Sequence, residues 1–307
     1  MGRIAGERYR LVNDTFLVTV LFYIGASMLL SGWLARTDSL VLRLLVSQVI
    51  LVIPTLGYLV LRGEPLRITI RWRMLKLSRI ALLILFTVSI MPFMSFVNAL
   101  SLTVTTNQAV ADLYGLAQMS LPIALLCTAV VPAVLEETVY RGVFYQEYRQ
   151  ISVGRGILLS GLLFGLMHLN LNQFSYAFAM GCIFALVVEV TDSILSTMII
   201  HSVINASSTF VTYFMAEEEI LTEMSQTELL TMTEVWQVGA AAVVPTMLAV
   251  VLLVWLSHLE GRSHVWGELF RRKSTEKEEQ KMLLTVPLLA GILICVGYIV
   301  LYECSIR

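Results

Sequence analysis

The chain has 307 residues, of which 57% are hydrophobic and 14% are charged, and its mean hydropathy is +0.80. A soluble protein carries about a quarter charged residues, so this composition excludes an ordinary soluble enzyme and indicates a polytopic membrane protein. The formal net charge is −1, and no basic stripe with interleaved aromatic residues occurs, so nucleic acid is not an expected partner.

Apolar segments that could cross about 30 Å of hydrocarbon recur along the whole chain. They predict an all-α transmembrane helix bundle of about nine spans. The first segment is too long for the apolar core of a signal peptide and is expected to be a retained span. The fourth is longer than a bilayer requires and the fifth is short, so tilt or burial inside the protein must accommodate them. The predicted spans are 15–34, 40–61, 79–100, 119–148, 156–169, 173–190, 193–214, 236–257 and 283–302.

The distribution of Lys and Arg predicts how these spans are oriented. With the N-terminus inside, 18 of the 21 basic residues fall on the inner side, as the positive-inside rule requires. The connection at 62–79 alternates Arg with apolar residues and is expected to lie along the inner surface of the lipid bilayer. The connection at 215–235 is acidic and is expected on the outer side. The sequence therefore predicts an N-in, C-out integral protein of a prokaryotic cell membrane.

Charged residues interrupt the fourth apolar segment. Glu136 and Glu137 are adjacent, and Arg141 follows one helical turn after Glu137. Residues four apart share a helix face, so Glu137 and Arg141 are expected to pair, whereas Glu136 points about 100° away. Ionisable groups in hydrocarbon are strongly destabilising unless they are paired or hydrated. Glu136 therefore needs a partner on another helix, and it is the first candidate for a functional residue.

Two further polar sites interrupt later segments. His168 closes the fifth, and His201 and Asn205 lie one turn apart on the seventh. A lone His or Asn in a membrane is often a hydrogen-bonding contact between helices. Six polar residues on three helices are harder to explain in that way and indicate a shared functional site. On straight helices Glu136 and His168 are not level, so tilt or an early end of the fifth helix is needed to bring them together.

This set of residues is suited to the activation of water. A carboxylate in a low-dielectric pocket can act as a general base, and a neighbouring imidazole can hold the same water and move its proton. A second imidazole and a side-chain amide one turn apart can donate hydrogen bonds to a developing oxyanion. No HExxH motif, serine nucleophile with an obvious base, or phosphate-binding glycine loop competes. A hydrolase whose substrate lies in the membrane is the first hypothesis.

The three motifs, in this order on three hydrophobic helices, resemble the CPBP family, which comprises type II CAAX prenyl proteases and the bacteriocin-processing or Abi proteins. The resemblance covers about residues 118–214 and no motif position is substituted. Each motif alone is unspecific, but the ordered trio in a membrane protein is a specific pattern. The motifs are Glu136-Glu137-x-x-x-Arg141, Phe164-x-x-x-His168 and His201-x-x-x-Asn205.

The resemblance implies an intramembrane endopeptidase that uses a glutamate-activated water. Glu136 and His168 would activate this water, and His201 and Asn205 would stabilise the oxyanion. The implied substrate is a membrane-borne or lipidated peptide or protein. The roles considered are CAAX-type processing, peptide maturation and bacteriocin self-immunity.

The resemblance leaves two chemical questions open. Glu137 and Arg141 would support the helix and the cavity, but either glutamate could be the base. Some members of the family have been described as metalloproteases, and His168, His201 and Glu136 could form a His₂Glu zinc set. We expect the protein to use no cofactor, because a zinc site would favour an HExxH-like pair of histidines.

The resemblance also divides the chain into four regions. A non-catalytic function remains as an alternative. Residues 1–117 hold the N-terminal spans, 118–214 the catalytic core, 215–235 the acidic outer loop and 236–307 the C-terminal spans. The alternative is a non-catalytic immunity or scaffold protein, or a proton-coupled transporter, because buried carboxylates and histidines can relay protons. Against a transporter, the polar groups cluster on three helices and no inverted repeat is visible.

Overall fold

The computed structural model is a bundle of eight long helices and one shorter one, and the residues that it describes contain no β-strand. It describes residues 2–37, 39–63, 70–106, 115–116, 118–215, 229–270 and 283–306, with side chains from Tyr9 to Ser305. The helices are α1 (Gly2–Leu34), α2 (Leu40–Arg62), α3 (Leu77–Ser101), α4 (Leu121–Tyr148), α5 (Val153–Leu166), α6 (Leu171–Thr191), α7 (Ile194–Phe214), α8 (Met232–Leu259) and α9 (Val286–Ile306).

The nine helices coincide with the nine predicted apolar segments. Eight of them are long and apolar enough to cross a membrane, and α5 is a shorter apolar helix of 14 residues. The prediction of an all-α polytopic membrane protein is therefore confirmed. The N-in, C-out orientation and the division into four regions stay predictions. Most of the acidic connection predicted at 215–235, and part of the basic connection at 62–79, lie outside the described residues.

The shortness of α5 removes the mismatch in level between Glu136 and His168. Fourteen residues of α-helix are about 21 Å long, well short of the hydrocarbon thickness of about 30 Å. The chain turns directly after α5, and Asn170 caps the start of α6 by accepting a hydrogen bond from the Gln173 amide at 2.8 Å. His168 therefore lies in a turn enclosed by the bundle.

α5 and α6 pack with their backbones almost in contact. A Cβ atom added to Gly181 on α6 would lie 2.7 Å from the Cα of Gly161 on α5, closer than such atoms approach in proteins. Small residues allow this close approach between membrane helices, where packing has to replace the hydrophobic driving force. The glycines thus set the position of α5, and with it the position of His168.

Helix α4 is not a regular α-helix. It contains two π-helical segments, Leu126–Val130 and Thr138–Phe144, with an α-helical segment between them that ends at Glu137. Each π-helical segment changes the rotation of the residues that follow it, and such segments are often found at functional sites. Arg141 lies in the second of them.

A second buried carboxylate, Glu189, is located near the end of α6. It accepts two hydrogen bonds from Arg149, at 2.8 and 2.6 Å, and one from the Tyr145 hydroxyl at 2.8 Å. Arg71 and Arg262 lie 3.3 and 3.0 Å from its oxygens. These arginines belong to three different connections between helices, so the Glu189 carboxylate anchors all three connections to α6.

A smaller ion-pair cluster lies beside this one, after the end of α8. Glu260 accepts hydrogen bonds from Arg73 at 2.5 Å and from Arg79 at 2.7 Å. Partial burial by itself would raise the pKa of Glu260, but the hydrogen bonds and charges of the two arginines hold this pKa below its ordinary value of 4.5.

We expect Glu260→Gln to lower the melting temperature at pH 7, and the difference from the wild type to shrink in acid. A carboxyl whose pKa is depressed by folding stabilises the folded state above its ordinary value of about 4.5, and this contribution is lost as the pH falls through the folded-state pKa. Thermal unfolding of the purified protein at pH 7 and pH 4 measures both effects. Glu268→Gln is the matched control, and a difference that is the same at both pH values would contradict the ion pairs.

Candidate functional site

The predicted pair between Glu137 and Arg141 is present and fully buried. Arg141 Nη1 donates to Glu137 Oε1 at 2.9 Å, and both side chains have no solvent exposure. The guanidinium carbon also lies 4.3 Å from the ring centroid of Phe164 on α5 and 5.1 Å from that of Phe184 on α6. Cation–π contacts of this kind are stronger in a desolvated environment. Arg141 therefore connects α4 to both α5 and α6.

Glu136 is hydrogen-bonded to α2, a part of the chain that carries none of the three motifs. Gln48 Nε2 donates to Glu136 Oε1 at 2.9 Å. The other oxygen, Glu136 Oε2, lies 3.9 Å from His201 Nε2. The sequence could have indicated this contact, because Gln48 lies inside the apolar segment 40–61 and an amide in hydrocarbon also needs a hydrogen-bond partner.

His168 is held by the helix that precedes it. Its Nδ1 lies 2.9 Å from the backbone oxygen of Phe164, and its ring packs edge-on against the Phe164 ring at a centroid distance of 5.0 Å. A carbonyl oxygen can only accept, so Nδ1 carries the proton. In the neutral ring, Nε2 is therefore an acceptor that can bind a water molecule.

His201 lies between the two glutamates. Its Nδ1 is 3.0 Å from Glu137 Oε1, and its side chain is 3% exposed. Because Glu137 Oε1 also accepts a hydrogen bond from Arg141, it is an acceptor towards His201 as well, and Nδ1 of His201 is the donor in this contact. Its second nitrogen, Nε2, faces Glu136.

Asn205 lies one turn further along α7 and contacts α4. Its Nδ2 donates to the backbone oxygen of Thr128 at 3.0 Å, and Thr128 lies in the first π-helical segment of α4. The amide has two N–H groups, so one of them is left for another acceptor.

The side chains surround two adjoining cavities with volumes of about 180 and 230 Å³. Both cavities are lined by Gln48, Glu136 and His168, together with Phe164 and Gln173. The larger one is also lined by His201 and Asn205. Four of the six predicted site residues therefore face a common space, while Glu137 and Arg141 lie behind its wall.

The zinc set that the sequence allowed does not fit a metal ion in this arrangement. In the part of the chain that the structure describes, no group of three or more His, Cys, Asp or Glu residues could hold one. Glu136, His168 and His201 line the same cavity without forming a coordination shell.

Fold and site together define a polytopic helical membrane protein in which a carboxylate and two imidazoles line one cavity. The model of the Rce1-like family, described as type II CAAX prenyl endopeptidase Rce1-like, matches residues 118–207. The match includes all three motifs and confirms the resemblance for this part of the chain, which is similar to a family of CAAX-type membrane proteases. The comparisons with curated proteins and with solved structures each gave no match. Gln48 lies outside the matched residues.

We expect Arg141→Ala to destabilise the protein by about 3–5 kcal/mol, because it leaves the buried carboxylate of Glu137 without its counterion. The double variant Glu137→Gln/Arg141→Met, which removes both charges, should recover part of this loss. Chemical unfolding in detergent and the amount of protein in the membrane measure the effect. Arg43→Ala, at an exposed position on α2, is the control, and normal accumulation of Arg141→Ala would contradict the role of the pair.

Proposed function

We propose that the protein is an intramembrane endopeptidase of the glutamic type, which cleaves a membrane-associated or lipidated peptide or protein with a glutamate-activated water. The observation that carries the proposal is the convergence of Glu136, His168 and His201 on one cavity. The match of the surrounding residues to a CAAX endopeptidase family supports the same reaction class.

In the proposed reaction, Glu136 is the general base. It lines the cavity, whereas Glu137 is occupied by Arg141 and His201 behind the wall. A water bound between Glu136 and Nε2 of His168 attacks the carbonyl carbon of the scissile peptide bond, and Glu136 takes its proton. The C–N bond then breaks, and the proton passes from Glu136 to the departing amine.

The oxyanion of the tetrahedral intermediate is stabilised from α7 in this proposal. Asn205 supplies the N–H that does not bind Thr128. His201 contributes through Nε2 when both of its nitrogens are protonated, because Nδ1 already donates to Glu137.

The test is the cleavage of a quenched fluorescent peptide by the protein in liposomes. The peptide ends in a farnesylated cysteine followed by three residues. We expect Glu136→Ala and His168→Ala each to lower kcat/KM by more than about 10³-fold, because each removes part of the water-activating pair. His258→Ala, at an exposed position near the end of α8, should retain wild-type activity.

A chelator is expected to have no effect on this activity. Inhibition by a chelator that zinc reverses would indicate a metalloprotease instead. Cleavage that persists in both variants would contradict the proposed base and its partner. Failure of the wild type to cleave a prenylated peptide, with cleavage of an unprenylated transmembrane peptide, would change the substrate class but not the mechanism.

Gln48 is a positioning residue in this mechanism, since its amide fixes one oxygen of Glu136. We expect Gln48→Leu to lower kcat by about 10- to 100-fold, because a hydrogen bond to a charged group contributes about 1.5–3 kcal/mol. KM should change little, and Gln48→Glu should not restore activity because a carboxylate cannot donate. Gln237→Leu, at an exposed position on α8, is the control. An equal rise in KM would indicate a role in substrate binding instead.

A further inference from the structure

A groove with a volume of about 580 Å³ lies against α5 and α6. None of the residues that line it lines the two cavities at the candidate site. It is formed by the first half of α5, the second half of α6 and the residues that follow the helical turn Val265–Glu268. Its apolar wall includes Ile157, Leu158, Cys182, Leu186, Leu269 and Phe270.

The apolar wall favours a hydrocarbon chain as its occupant. Leu158 is 57% exposed and Phe270 is 88% exposed when the protein is considered without its membrane. Both α5 and α6 are apolar helices of a membrane protein, so the apolar wall of the groove is suited to contact with acyl chains. The volume falls within the range of about 300–1,000 Å³ that is typical of small-molecule sites.

The polar end of the groove favours an anion. Ser152 is the N-cap of α5, but its side chain makes no capping hydrogen bond and has no other hydrogen-bond partner among the described residues. It is 9% exposed and lines the groove. The first amides of a helix have no intrahelical acceptor, and the helix dipole makes this end positive. Arg155 lines the same end of the groove.

We propose that this groove binds an anionic glycerophospholipid. Its headgroup phosphate accepts hydrogen bonds from the first amides of α5 and from the Ser152 hydroxyl, beside the charge of Arg155, and one acyl chain lies along the apolar wall. The charge pattern predicts this end of α5 on the inner side, where basic residues concentrate and anionic lipids attract them. The lipid holds α5 at the end opposite His168. The proposal does not depend on the proposed reaction.

The experiment measures the melting temperature of the full-length protein in a neutral detergent with added lipid. Phosphatidylglycerol should raise it by at least about 3 °C, whereas phosphatidylcholine with the same acyl chains should change it little. sn-Glycerol 3-phosphate, which has the phosphate but no chain, should give no shift. Native mass spectrometry should show phosphatidylglycerol retained by the wild type.

Three variants localise the effect. Arg155→Gln and Ser152→Asp should lose most of the phosphatidylglycerol shift, while Arg10→Gln on α1 should keep it. Aspartate is a good N-cap, so Ser152→Asp keeps α5 folded while its charge repels the phosphate. Equal shifts with both lipids, a full shift in Arg155→Gln and Ser152→Asp, or an equal shift with sn-glycerol 3-phosphate would each overturn the proposal.

Discussion

The burial of Glu137 with Arg141 is the constraint on which the candidate site depends. Neither charge can be hydrated inside an apolar bundle, so the pair has to form within α4 and fixes the rotation of that helix. With Glu137 turned inward to Arg141 and His201, the adjacent Glu136 is directed into the cavity. The stacking of Arg141 on aromatic rings of α5 and α6 extends the same constraint to the helices around it.

The site also requires His168 to lie near Glu136, and the backbone geometry of α5 provides this. A helix that crossed the whole bilayer would carry His168 away from Glu136, but α5 ends after 14 residues and the chain turns within the bundle. The contact between Gly161 and Gly181 keeps this short helix against α6. The turn has its polar groups satisfied by the Asn170 cap and by the His168 ring, as non-helical backbone at membrane depth requires.

The ends of the helices are held by a different kind of interaction. Glu189 and Glu260 attract arginines from several connections, so charge fixes these segments in addition to the apolar packing of residues such as Ile70 and Val265. This arrangement suits the membrane interface, where water is near enough to hydrate the outer atoms of the arginines. Glu137 and Arg141 form a separate, fully buried ion pair in the interior of the bundle, and His201 contacts it.

Much of the fold could be predicted from the sequence, because a membrane imposes a length and an apolar composition on every spanning helix. The nine segments and the pairing of Glu137 with Arg141 follow from hydropathy and helical spacing, and polar residues in three apolar segments predict a shared site. Hydropathy could not predict contacts between helices distant in the chain. The tertiary structure decided these features. Gln48 binds Glu136, Glu189 binds three arginines, and His168 follows the end of a short helix. The physical reason is that spacing along one helix determines which residues share a face, whereas packing determines what that face meets.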